Sequence, residues 1–204
     1  MLIVSDMAFP NTDLTVVRSR DFLNSSIKDF VVNLQCDYRY MKIGYYVSMH
    51  AEILGNGVIP ECSDILDAYS VPILLLRSLK KGIPTSPHVV TNDVKDIEFE
   101  LDFPMVVFPV NPFSHDTYRV VRSEGSLYRA ARSLGIDYHY PVCVEPLLGD
   151  VQTVKSIFGS ASRGEASGVC EQFYEEFRMP LCKLHIQRVD EKCYLCGASR
   201  LRPD

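Results

Sequence analysis

The sequence predicts an α/β fold, and three observations carry that prediction. Short apolar runs at residues 2–6, 30–34 and 58–60 alternate with helix-forming segments through the first half of the chain. Strands and helices in alternation imply a parallel sheet with helices on its faces. The second half mixes strands and helices without strict alternation, and it ends on two strands that turn at Asp190-Glu191-Lys192, as in an α+β unit. The expected organisation is a Rossmann-like lobe over residues 1–92 and a compact α+β lobe over residues 93–204. The charged, polar stretch 91–100 marks the boundary.

Each element has a local reason. Residues 43–54 form a helix that stops at Gly55-Asn56-Gly57, where glycine accepts the left-handed conformation that ends helices. Ser63-Asp64 would cap a further helix, broken at Pro72 and closed by Gly82. Residues 103–110 read as a strand and residues 123–134 as an amphipathic helix ending at Gly135. Residues 142–148 and 151–158 are two more strands. A polar loop from Gly159 through Arg163 to Gly164 follows and has no phosphate-loop pattern. Residues 169–177 are helical, and residues 181–189 and 193–198 form the closing hairpin.

Composition bounds the function. The chain has 204 residues, of which 47% are hydrophobic and 23% charged, with a net charge of −5. The acidic balance argues against a broad face for nucleic acid or membrane. No apolar run has the length of a membrane span, and Pro72 and Arg77 interrupt the most apolar stretch. Seven scattered cysteines, an odd number, fit reduced thiols in a cytoplasm rather than a disulfide framework.

Two resemblances overlap. The segment from Asn33 to Pro60 contains Tyr38, Arg39, Tyr40, Gly44, Tyr45, Tyr46, Val47, Ser48, Ala51 and Glu52. It resembles the "Y-R-Y-x-x-x-G-Y-Y-V-S-x-x-A-E" run of the N-terminal domain found ahead of RimK-like ATP-grasp ligases. The remainder is similar to a compact ATP-grasp fold. Gly82-Ile83-Pro84-Thr85 looks like the entry segment "G-I-P-T-P". Phe103 to Pro109 resembles the strand "F-P-x-V-V-K-P". Val144-Glu145-Pro146-Leu147-Leu148-Gly149 is similar to the "V-x-E-x-I-x-G" strand that lines the adenine and ribose site. The segment from Pro180 to Pro203 resembles the closing hairpin, with its "E-x-N-x-x-P".

The departures from that pattern are chemical. In the family the lysine of the "V-V-K-P" strand holds nucleotide phosphate, and here Phe108 stands in its place. A cationic side chain offsets phosphate charge, and a phenyl ring offers neither charge nor a hydrogen bond. Aligning Pro203 with the closing proline puts Ala198 and Arg200 where the family has Glu and Asn. His185 then falls near the family's Asp. Those positions hold magnesium in the family, since a hard cation wants oxygen ligands, and Arg200 would repel it. The resemblance therefore implies a nucleotide-site remnant made of Phe108, Glu145, Leu147, His185 and Arg200. No cofactor is expected, and ATP with Mg²⁺ enters only under an active-ligase reading.

The loop between residues 36 and 42 is the second candidate. It joins a strand's carboxyl end to a helix N-terminus, where ligands bind in open α/β sheets and where anions are favoured. Asp37, Tyr38, Arg39, Tyr40, Lys42 and Tyr45 supply charge and flat contact surface for a small carboxylate or a peptide end. The structural alternative is that Arg39 pairs with Asp37 while the tyrosines pack between lobes. Cys182, His185, Cys193 and Cys196 raise a zinc reading, but residues three apart on a strand face opposite sides. No Cys–His pairing resembles a nucleophile signature. The leading expectation is a non-catalytic ATP-grasp relative. It binds a small carboxylate or peptide, or a partner ligase, in ATP-dependent amide-bond formation. An active carboxylate–amine (peptide) ligase of unusual site composition and a plain protein-interaction domain are the alternatives.

Overall fold

The computed structural model describes residues 1–7, 13–110, 118–162 and 164–201. Arg163 and Pro203 lie outside the described residues. The architecture is mixed α/β, with one parallel and two antiparallel four-stranded sheets.

The first sheet has the order β2-β1-β3-β4 and is parallel throughout. Its strands are β1 (Leu2–Val4), β2 (Thr15–Val17), β3 (Val31–Asn33) and β4 (Val58–Ile59). Successive residues of a strand point to opposite faces. Leu2, Val4 and Val31 pack on one side with Phe22 of α1 (Ser19–Leu23) and with Val47 and Ala51 of α2 (Ile43–Ile53). Ile3 and Val32 join the main core on the other side, with Ile65 of α3 (Cys62–Tyr69) and Leu74 and Leu75 of α4 (Val71–Lys80). Helix α2 stops where the sequence indicates, with Gly55 at φ 76°. Helix α3 starts one residue before the expected Ser63-Asp64 cap, with Glu61 in the extended N-cap position.

The second sheet has the order β5-β8-β6-β7 and is antiparallel. It is built from β5 (Val89–Thr91), β6 (Met105–Pro109), β7 (Arg119–Val121) and β8 (Val142–Pro146). Met105, Val107, Val142 and Val144 face Ile97 of α5 (Val94–Glu100) and Leu127, Ala130 and Leu134 of α6 (Glu124–Leu134). Val106, Phe108 and Cys143 point the other way, into the main core. The stretch read as a polar connector is helix α5, capped where the Asp93 carboxylate accepts the Lys95 N–H at 3.0 Å. Charged residues surround Val94 and Ile97, which are buried, and this masks the helix in the sequence.

The third sheet runs β10-β9-β11-β12 and is antiparallel. It contains β9 (Asp150–Ile157), β10 (Ser160–Ala161), β11 (Leu181–Val189) and β12 (Lys192–Ser199). Helix α7 (Ser167–Phe177) buries Val169, Cys170, Phe173 and Phe177 in the main core. The predicted turn is present, with Asp190 at φ 53°. The register of β12 slips between His185 and Ile186 of β11, so that Cys196 is the extra residue of a β-bulge. The chain entering the second sheet is tied to β12 by Leu195 N–H donating to the Pro84 carbonyl at 2.8 Å.

Candidate functional site

Three elements converge on the loop after β3. Asn33, fully buried, donates from Nδ2 to the Gly44 carbonyl at 2.7 Å and to Ser48 Oγ at 2.9 Å. Ser48 in turn donates to the Pro60 carbonyl at 2.7 Å. This chain of bonds seats the first turn of α2 against the end of β3. Gly44 allows the approach: a Cβ there would lie 2.6 Å from the Asp37 carbonyl oxygen and 3.0 Å from Gln35 Cβ.

Arg39 is bound bidentately by Asp37, with Nε to Oδ1 at 2.8 Å and Nη2 to Oδ2 at 2.7 Å. The structural alternative for Arg39 is thus present in the geometry. A second guanidinium joins it, since Arg200 Nη1 lies 3.1 Å from Asp37 Oδ2. Burial is the largest influence on the Asp37 carboxyl and pushes its pKa up. Hydrogen bonds and charge from Arg39, with charge from Arg200, outweigh it and hold the carboxyl below the usual value.

The loop's other candidates separate by depth. Tyr38 is a correction: it is fully buried, its hydroxyl donates to the Asn33 carbonyl at 2.8 Å, and its ring offers no surface to a ligand. Its aromatic area serves the main core, and burial raises its pKa well above the ordinary phenol value. Tyr45 is half-buried against that core, with its ring 5.2 Å from Tyr40. Tyr40, Met41, Lys42, Ile43 and Tyr46 are exposed. Met41 holds a left-handed φ of 63°, which breaks the chain direction just ahead of α2.

The remnant residues lie where the second and third sheets meet. Phe108 is 3% exposed, with its ring centroid 5.6 Å from that of Tyr118 and 6.1 Å from that of His185. The rings of Tyr118 and His185 are 5.2 Å apart, edge to face. Where the family pattern implies phosphate, three aromatic rings pack together. Thr153 Oγ1 lies 3.2 Å from His185 Nδ1.

His185 and Gln187 are two apart on β11 and so share a face. Gln187 is fully buried and reaches the end of β8. Its Oε1 accepts the Leu148 N–H at 2.7 Å and the Gly149 N–H at 3.4 Å, and its Nε2 donates to the Pro146 carbonyl at 3.1 Å. The carboxamide therefore satisfies the backbone of the very segment that resembles the adenine and ribose strand. Leu147 adds a half-buried side chain, and its N–H donates to the Pro104 carbonyl at 2.9 Å.

Glu145 is fully buried, bonded to Ser86 Oγ and Cys196, and its Oε1 has no hydrogen-bond partner among the described residues. Burial is the main cause that pushes its pKa up to about 8, with Ser86 and Cys196 pulling it down by less.

Arg200 meets the Asp37 loop. It bridges the end of β12 to the loop after β3 because β12 delivers its last residues beside that loop. Among the described residues, Phe108 is buried among rings and Arg200 is engaged by Asp37, so neither side chain fits the holding of a nucleotide phosphate or its magnesium. Among the described residues no group of three or more His, Cys, Asp and Glu side chains is placed to hold a metal ion. Cys182 and Cys196 are buried and Cys193 is half-buried. Tyr118, Thr153 and Ser86 gave no signal in the sequence. Gln187 did, as a polar residue on an otherwise core-forming strand two positions from His185.

Residues 19–105 match the family model of the RimK-like ATPgrasp N-terminal domain. No curated protein matches the chain by sequence. Among solved structures, a RimK domain ATP-grasp protein from Sphaerobacter thermophilus DSM 20745 is 10% identical and superposes with a TM-score of 0.67, covering 98% of this chain and 90% of that one. The D-alanine–D-alanine ligase of Bacillus anthracis is 14% identical at a TM-score of 0.67, over 98% of this chain and 86% of that one. The ATP-grasp ligase PsnB, solved with precursor peptide PsnA2 and AMPPNP, is 14% identical at 0.61, over 97% and 86%. At such identities the likeness is one of fold. The chain thus has the fold of ATP-grasp ligases, and its residues 19–105 are similar to the RimK-like ATP-grasp N-terminal domain.

Proposed function

We propose that this chain is a non-catalytic relative of ATP-grasp ligases that acts by binding a peptide carrying a carboxylate. The observation that carries the reading is the packing of Phe108, Tyr118 and His185 in the place the family keeps for phosphate. Gln187 supports it, because a base entering at Pro146–Leu148 would have to displace an amide that already meets those backbone groups. Each lost electrostatic stabiliser at such a site costs about 10²–10³ in rate, so losing the phosphate cation and the metal ligands together removes phosphoryl chemistry.

Two observations support the binding role. Arg39 and Arg200 meet at Asp37, and the exposed Lys42 stands in the same loop, which gathers basic side chains there. Tyr40, Met41, Ile43 and Tyr46 expose apolar and aromatic surface around that charge, a composition enriched at interfaces. PsnB, with the same fold, is recorded in complex with a precursor peptide. A partner ligase acting on such a peptide would engage the same surface. The seven cysteines are all thiols rather than disulfides, a state that fits a reducing compartment such as the cytoplasm. Among the described residues no helix is long and apolar enough to cross a membrane.

Titration calorimetry of the purified chain with Mg²⁺-ATP tests the reading. The expected result is no heat and no thermal shift at millimolar nucleotide. Micromolar, magnesium-dependent binding would overturn it in favour of an active ligase.

A further inference from the structure

The last turn of α6 and the residues after it form a recess away from both sites described above. Its volume is about 350 Å³, and it is lined by Arg129, Arg132, Ser133, Ile136 and Asp137. That size is at the lower end of sites that take small ligands or single side chains. Arg129 and Arg132 are three apart on α6, which places them on one helix face.

The backbone beside the recess is unusual. Ile136, Asp137 and Tyr138 hold φ of 52°, 53° and 64°, three consecutive left-handed residues with no glycine among them. A β-branched isoleucine rarely adopts that region, and such segments persist only where the surroundings over-determine them. Here several bonds do so. Asp137 N–H donates to the Arg132 carbonyl at 2.8 Å, Tyr140 N–H donates to the Gly135 carbonyl at 2.9 Å, and the Tyr138 hydroxyl donates to the Tyr128 carbonyl at 3.3 Å.

One consequence is the placement of Asp137, whose Oδ1 accepts from Arg132 Nε at 2.7 Å. That contact fixes one edge of the Arg132 guanidinium. Arg129 makes no ion pair among the described residues. The recess therefore presents one oriented and one uncompensated guanidinium beside an isoleucine side chain that is 43% exposed. This basic feature stands on a chain whose net charge is −5.

We infer that this recess is a docking site for an acidic peptide segment, with an aspartate or glutamate side chain held by Arg129 and Arg132 and a neighbouring apolar side chain on Ile136. Planar guanidinium groups take carboxylates in paired hydrogen bonds, and the open recess leaves both guanidinium groups accessible to one. Nucleic acid is disfavoured as the occupant, because the recess is local and the surrounding chain is acidic. The site is independent of the Arg39 loop, so a failure here leaves the proposed function standing.

The test is fluorescence anisotropy of labelled hexaglutamate at low salt, with hexalysine as control. The wild-type chain is expected to bind hexaglutamate and not hexalysine. Arg129→Ala is expected to weaken binding at least tenfold while leaving the thermal midpoint unchanged, since this side chain is exposed. Arg129→Lys should restore only part of it, because an ammonium lacks the fork. Hexaglutamate binding that is absent at millimolar peptide, or unaltered by Arg129→Ala, would overturn the assignment. A single-stranded oligonucleotide that binds more tightly than hexaglutamate and is lost in Arg129→Ala would overturn it in favour of nucleic acid.

Discussion

Replacing Glu145 by Gln isolates the least compensated group in the core. The Glu145 carboxyl is fully buried, and in the fold burial lifts its pKa from 4.5 to about 8. Across that window the folded chain keeps a proton that the unfolded chain releases. A raised carboxyl pKa means that this group costs nothing below about 4.5 and progressively destabilises the fold as pH rises towards 8. The slope is about 1.4 kcal/mol per pH unit for one such group. Glutamine keeps the shape and carries no charge, so its stability lacks this slope. The stability difference between Glu145→Gln and the wild type should grow in favour of the variant by roughly 3 kcal/mol between pH 5.5 and 7.5. Urea unfolding of both proteins at pH 5.5, 6.5 and 7.5 measures it, and a shift in midpoint on the order of 1 M is readily resolved. Parallel pH profiles for the two proteins would refute the reasoning, and would mean that Glu145 is ionised in the fold with a partner or water at Oε1.

Three further outcomes follow from the same geometry. Arg77 joins α3, α4 and α7 through Asp64 at 3.1 Å, Asp67 at 2.7 Å and Glu176 at 2.9 Å, and its guanidinium lies 4.6 Å from the Phe177 ring centroid. Arg77→Met should lose about 2 kcal/mol, seen as a fall of roughly 5 °C in thermal midpoint, because three half-buried carboxylates lose their shared cation. Restoring the family lysine with Phe108→Lys should destabilise the chain by more than about 3 kcal/mol in urea, by placing an ammonium among rings without an anion. It should also yield no Mg²⁺-dependent release of phosphate from ATP. Gly44→Ala should cost about 1–3 kcal/mol in chemical denaturation, since α2 must move off the Asp37 carbonyl to admit the methyl group. The same shift should loosen the Asp37–Arg200 contact, which double-mutant coupling with Arg200→Ala would register as a reduced interaction energy.

The sequence by itself determined the elements whose signals are local. The parallel first sheet, the stop of α2 at Gly55, the helix before Gly135 and the closing hairpin at Asp190 follow from periodicity and from turn residues, and the structure contains them. The resemblance of residues 38–52 to the RimK-like N-terminal domain was legible too, because that run is held by short-range contacts: Gly44 against the Asp37 carbonyl and Ser48 against Asn33. Strands of three residues such as β2, β5 and β7 were not legible, since so short a segment has no period of its own and exists only by pairing.

Tertiary structure decided which polar residues meet. Asp37 and Arg200 are 163 residues apart and become partners because β12 ends beside the loop after β3. Tyr38 and Tyr40 are neighbours in one motif, yet one is buried and the other is 41% exposed, a difference fixed by what packs above them rather than by residue type. Phe108 reads in sequence as a missing cation. In the fold it is a ring packed with Tyr118 beside the neighbouring strand of its own sheet and with His185 of the third sheet, and only the approach of two separate sheets makes the second contact. A single strand specifies which face a side chain takes, and the partner sheet specifies what it meets there.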